Sequence, residues 1–186
     1  MRHPFVHIFA VLLCSSFAFA AQNYTIDRSH SQARFSLRHV VETVEGKFSD
    51  VSGIIVYDPV DITKSHVRVA VKISSVDTGI SQRDHHLQAA EFFDAAHFPE
   101  MVFDSQRIEK RDSGLVAIGN FTMRGTTRII EIPFTVSPSD GRLVVRGNTS
   151  LNRRDYNVGS EDMMDNRLVL GNEVRIELSL EAAPAK

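Results

Sequence analysis

The residues able to do chemistry fall in a few short stretches of the 186-residue sequence. His85 and His86 stand side by side after Arg83 and Asp84, and adjacent histidines raise the question of a metal. On a helix, neighbours project about 100° apart, so the two do not readily share one ion. No His-Glu-x-x-His pattern occurs, and His30 and His97 could contribute only through the tertiary fold, so no metal is expected. Arg83 and Asp84 either face a ligand's head group or order their segment as a lid, and a carboxylate near a helix start is favourable in either case. His39 shares the apolar phase of Ala33, Phe35 and Leu37. It is either a head-group contact or a satisfied histidine at a strand end. Arg153, in Asn152-Arg153-Arg154-Asp155, either approaches a polar ligand group or pairs with Asp155 on a solvated turn, where an ion pair contributes little. No Gly-x-Ser-x-Gly elbow or glycine-rich phosphate loop is present, and the one cysteine is Cys14. No catalytic residue and no cofactor is expected, and three Asn-x-Ser/Thr sequons read as chance matches.

The elements that must position these side chains are strands. Val67, Val69, Val71 and Ile73 alternate with polar residues, as do Val174, Ile176, Leu178 and Leu180. Ile130, Ile132, Phe134 and Val136 do the same. Successive strand side chains point to opposite faces, so each run is a half-buried strand. Further strands are expected at 24–27, 33–37, 46–48, 53–58, 101–108, 114–123 and 142–151. The phase change near Gly119 predicts a bulge or bend in the 114–123 strand. One insert breaks the rhythm: Ser81-Gln82-Arg83-Asp84 has the form of a capping box, and 82–90 suits a short helix. No strand–helix–strand alternation appears, so eight or more antiparallel strands point to a barrel or sandwich.

The first twenty residues read as an export signal. Arg2 and His3 precede an apolar run over 5–13, and Ala18 and Ala20 place small residues before a cleavage at residue 20. Residues 21–186 then form one domain, periplasmic or secreted, without cysteine. No second apolar run is long enough for a membrane helix. A formal charge of −2 argues against a nucleic-acid partner. The sequence has 12 Phe but only 3 Tyr and no Trp, which cannot furnish the aromatic girdles of a membrane barrel. The apolar faces therefore belong inside a water-soluble barrel, whose interior is either filled or holds one ligand.

Segments in a fixed order resemble the YceI-like family over about 24–180. They include Phe35-Ser36-Leu37-Arg38-His39, Gly46-Lys47-Phe48, Ser75-Val76-Asp77-Thr78-Gly79 and Arg83-Asp84-His85-His86-Leu87. Glu91-Phe92-Phe93-Asp94, His97-Phe98-Pro99-Glu100-Met101-Val102-Phe103, Gly119-Asn120-Phe121-Thr122-Met123-Arg124-Gly125 and Asn152-Arg153-Arg154-Asp155-Tyr156 continue the series. Tyr156-Asn157 departs from the Phe-Gly found in many members. The resemblance implies an all-β, eight-stranded antiparallel, lipocalin-like barrel with a short helical insert. It also implies an elongated cavity for a polyisoprenoid or prenylated-quinone-like lipid. The wall is then expected from Phe35, Phe48, Val69, Val71, Phe103, Ile118, Ile132, Phe134 and Ile176, with Phe92 and Phe93 closing one side. His39, Arg83, Asp84 and Arg153 are the polar candidates. Homodimerisation stays open, as do two other functions: a hydrolase or isomerase using His39 as base, and a filled structural barrel.

Overall fold

A strand edge exposes unpaired N–H and C=O groups, and closing the sheet removes the edges altogether. The computed structural model describes residues 21–39, 42–159 and 170–186, with backbone alone at 39, 42 and 170; residues 1–20, the expected export signal, lie outside it. The strands are β1 (Gln22–Ile26), β2 (Gln32–His39), β3 (Glu42–Phe48), β4 (Val51–Tyr57), β5 (His66–Lys72) and β6 (Val76–Asp77). The helix α1 (Ser81–Gln88) follows, then β7 (Glu100–Arg111), β8 (Gly114–Met123), β9 (Thr126–Ser139), β10 (Arg142–Asn152) and β11 (Leu170–Pro184).

Eight strands close a ring in the order β1-β4-β5-β7-β8-β9-β10-β11, with β11 returning to β1. All pairings are antiparallel. The other three segments lengthen the ring at one end. The 3₁₀ turn Arg28–His30 separates β1 from β2, yet both run along β11, β1 against residues 182–184 and β2 against 170–179. Likewise β3 continues into β4 across Ser49-Asp50, and β5 into β6 across the turn Ile73–Ser75. Three strands are therefore bent and five are long.

Two expectations change in detail. The bulge lies in β7 rather than β8: register slips between Ser105 and Arg107, so buried Met101, Phe103 and Ser105 are followed in phase by Ile108. Gly119 faces Ser105 across the ladder, and a Cβ there would come within 2.3 Å of the Asp104 carbonyl oxygen. The glycine marks its partner's bulge by letting the two backbones approach. The second change is at α1. Its N-cap is Ile80, without a side-chain cap bond, so there is no capping box. Asp84 instead accepts from the Thr78 backbone N–H at 2.9 Å and hydroxyl at 2.5 Å, tying the first turn back to the preceding loop.

The ring is not fully laced. The β9–β10 ladder ends at Phe134 opposite Gly147, while β9 continues down to Thr126 and β10 on to Asn152. Pro133, which has no N–H to donate, stands where that ladder stops. Past that point the Thr149 hydroxyl donates to the Glu131 carbonyl oxygen at 3.0 Å.

Candidate functional site

Residues of β2, β3, β5 and β7 to β11 line a cavity of ≈ 490 Å³, so the barrel is not filled. That volume falls within the range of small-molecule sites, about 300–1,000 Å³. Phe35, Phe48, Val69, Val71, Phe103, Ile132 and Ile176 all line it, as their strand phase requires. Phe35 and Phe48 meet with ring centroids 5.5 Å apart, and Phe48 meets Phe93 edge-on at 5.7 Å. Phe92 and Phe93 come from the lid, the segment formed by α1 and the turns after it. The lid folds on its own backbone, with Phe93 N–H bonded to Leu87 O and Ala95 N–H to Gln88 O. It is fastened to the barrel by Gly159 N–H to Glu91 O at 2.9 Å and by the Arg124 guanidinium, which donates to Ala90 O and Asn157 O.

Two expected wall residues sit elsewhere. Phe134 lines a separate, smaller cavity of ≈ 60 Å³. Ile118 lines neither cavity among the described residues. It alternates with inward Ala117 and so points to the outer face, where its cross-strand neighbours are Arg107 and Glu131. Arg107, Glu109, Arg111 and Glu131 form a continuous ion-pair lattice there, and Arg107 and Glu131 stand on either side of Ile118, which is only 2% exposed. Burial of an isoleucine therefore did not imply a place on the cavity. Residues beyond the expected wall also line it, including His86, Leu87, Phe121, Met123, Leu151 and Leu178. Phe121 and Met123 share the phase of Ala117, a signal the sequence does carry. Leu87 and His86 depend on where the lid docks.

The polar candidates resolve unequally. His39 ends β2 opposite Glu42 and Leu170, and its side chain lies outside the described residues. Arg83 lines the cavity while its Nε and Nη2 donate to the Thr78 hydroxyl and carbonyl, both at 2.8 Å. Asp84 orders the lid as described. Arg153 is not on a solvated turn: it is buried, lines the cavity, and donates to Gly171 O at 3.0 Å, Val158 O at 2.7 Å and Asn172 Oδ1 at 3.2 Å. Burial pushes its guanidinium pKa down, and nearby Arg154 adds to the effect. Asn157, where the resemblance leads one to expect glycine, adopts φ 58° and ψ 31°. Asparagine tolerates that left-handed conformation better than most side chains, so the turn keeps its geometry. His86 packs edge-on against Phe92 at 5.0 Å, and His97 is paired with Asp94. No cluster of three metal-ligating side chains occurs among the described residues.

A serine, a histidine and an aspartate do come together at the β7 bulge. Ser105 Oγ lies 3.1 Å from His66 Nδ1, and His66 Nε2 lies 3.1 Å from Asp104. Ser105 is buried, however, and its oxygen accepts from the Val67 backbone N–H at 2.9 Å. It supplies the acceptor that the β5–β7 ladder loses where the bulge interrupts it.

Comparison with known proteins agrees with this geometry. Residues 24–182 match the model of the YceI-like domain. A UPF0312 protein of Yersinia enterocolitica is 28% identical over 95% of this chain and 94% of its own. One from Shewanella sp. (strain ANA-3) is 33% identical over 78% and 82%. Among solved structures, Burkholderia cenocepacia BcnA superposes with TM-score 0.77 at 22% identity, covering 84% of this chain and 98% of that one. A polyisoprenoid binding domain from Saccharophagus degradans gives TM-score 0.71 at 15% identity, covering 87% and 98%.

Proposed function

This chain belongs to the YceI-like family, and from that premise we propose that it is an exported carrier or store for a polyisoprenoid or prenylated-quinone-like lipid. The apolar tail lies in the barrel, and the head group stays at the lid end beside Arg83, His86 and Arg153. The observation that carries the reading is the ≈ 490 Å³ cavity, walled by Phe35, Phe48, Phe103 and aliphatic side chains. Polar lining residues at the lid, set against an apolar interior, suit an amphiphile. Each apolar Å² taken from water favours binding by about 25 cal/mol. The polyisoprenoid binding described for the Saccharophagus domain supports the ligand class. The signal-like residues 1–20 support export. We read the chain as a binding protein rather than an enzyme.

Organic extraction of the purified protein followed by mass spectrometry tests this. A stoichiometric prenyl lipid is expected, and Val71→Asp, which puts a carboxylate on the dry wall, should remove it from folded protein. A clean extract from folded wild-type protein would sink the reading.

A further inference from the structure

The two cavities are neighbours along the barrel axis, and four residues line both: Val69, Phe103, Ile132 and Leu178. They come from β5, β7, β9 and β11. Val69 and Phe103 are directly paired across their ladder. Leu178 stands opposite Gly147 of β10, and a Cβ on Gly147 would come within 3.1 Å of Ile132 Cγ2. The missing side chain on β10 is thus the space into which Ile132 leans. Beyond this layer the smaller cavity is bounded mostly by apolar side chains, among them Ile55, Ile108, Phe134, Val145 and Leu180, together with Tyr57 and Ser65.

We infer that Val69, Phe103, Ile132 and Leu178 form a septum that sets the length of the apolar tail this barrel accepts. The inference rests on the lipid-binding reading and adds the group that selects among lipids. A tail entering from the lid meets the septum as the floor of the larger cavity. One that ends there keeps the four side chains in their packed rotamers. A longer one must displace Phe103 or Ile132 into the ≈ 60 Å³ beyond, or leave carbons in water at the lid. Close-packed interiors resist such displacement, and each carbon left outside forfeits its transfer free energy. Binding therefore climbs with tail length up to a limit and then stops climbing.

The probes are all-trans prenyl alcohols of increasing length, from farnesol through geranylgeraniol to longer polyprenols, which share one head group and differ only in isoprene count. Binding to the delipidated chain is read by native mass spectrometry. Wild type should show a length limit. Phe103→Ala joins the two cavities and should move the limit to longer alcohols, with about tenfold or greater gain for the first alcohol beyond it. Phe103→Trp should move the limit to shorter ones. Ile132→Val and Leu178→Val each remove a single methylene from the same layer and carry the test if Phe103→Ala does not fold. A length limit unchanged in folded variants overturns the septum. If no prenyl alcohol of any length binds folded wild type, the lipid-binding reading itself falls.

Discussion

Arg153 carries a charge into the barrel wall, and its geometry explains how. A guanidinium presents donors in a fixed fork, and here three acceptors, Gly171 O, Val158 O and Asn172 Oδ1, converge on that fork from β11 and from the turn after β10. The residue thus joins the two sides of the cavity end. Arg153→Ala leaves buried carbonyl groups unsatisfied and should cost about 2–4 kcal/mol of stability by denaturant unfolding. Arg153→Lys should recover little of it, since one ammonium cannot span three divergent acceptors. A loss under 0.5 kcal/mol, the size of a typical surface substitution, would contradict this account.

The lid is the element whose behaviour depends least on its own sequence. Helix α1 has no buried residue and no side-chain cap, so it cannot be stable alone. It is held by Thr78 on one side, through Arg83 and Asp84, and by Arg124 and Gly159 on the other. Asp84→Ala removes the acceptor for both the Thr78 N–H and its hydroxyl. Lipid release to vesicles should speed up roughly tenfold, the equivalent of about one hydrogen bond to a charged group at the lower end of its range. Hydrogen exchange should rise over 79–98, with the melting temperature of the barrel nearly unchanged. Equal protection in wild type and variant would show that Asp84 does not hold the lid.

At the scale of the whole molecule, closure of the ring depends on the bend between β1 and β2, and a carboxylate sits at that bend. Asp27 accepts from the Ser29 amide and hydroxyl, from His30 and from Arg142 of β10. The Ser29 hydroxyl first, then Arg142 and His30, hold its pKa well below the usual carboxylate range. Arg107 and Arg111 hold Glu109 low, and Arg111 holds Glu131 low, on the outer lattice. A group whose folded pKa is depressed stabilises the fold above its unfolded value, about 3.9 for aspartate, and loses that contribution as pH falls through the folded value. Stability should therefore fall with acidification below about pH 4. Asp27→Asn should be less stable than wild type at neutral pH and should converge with it in strong acid. Parallel curves from pH 7 to the acid limit would show that the bend does not depend on the Asp27 charge.

Strand identity was legible because period-two alternation is a local property: β5, β9 and β11 could each be read from their own residues. The Phe-rich, Trp-free composition and the ordered family segments pointed to a soluble barrel, and most of the wall followed from strand phase. Three things waited for the tertiary structure. Ile118 is out of phase with Phe121, but that phase could be trusted only once β8 proved free of a bulge, and ring closure decides which cavity Phe134 meets. The surroundings of Arg153 come from chain segments distant in sequence, so burial and hydrogen bonding overturned a solvated turn that local pattern allowed. That Val69, Phe103, Ile132 and Leu178 line both cavities depends on four strands being brought around one interior. No single strand encodes that meeting; it is set by register, and register exists only once the barrel is closed.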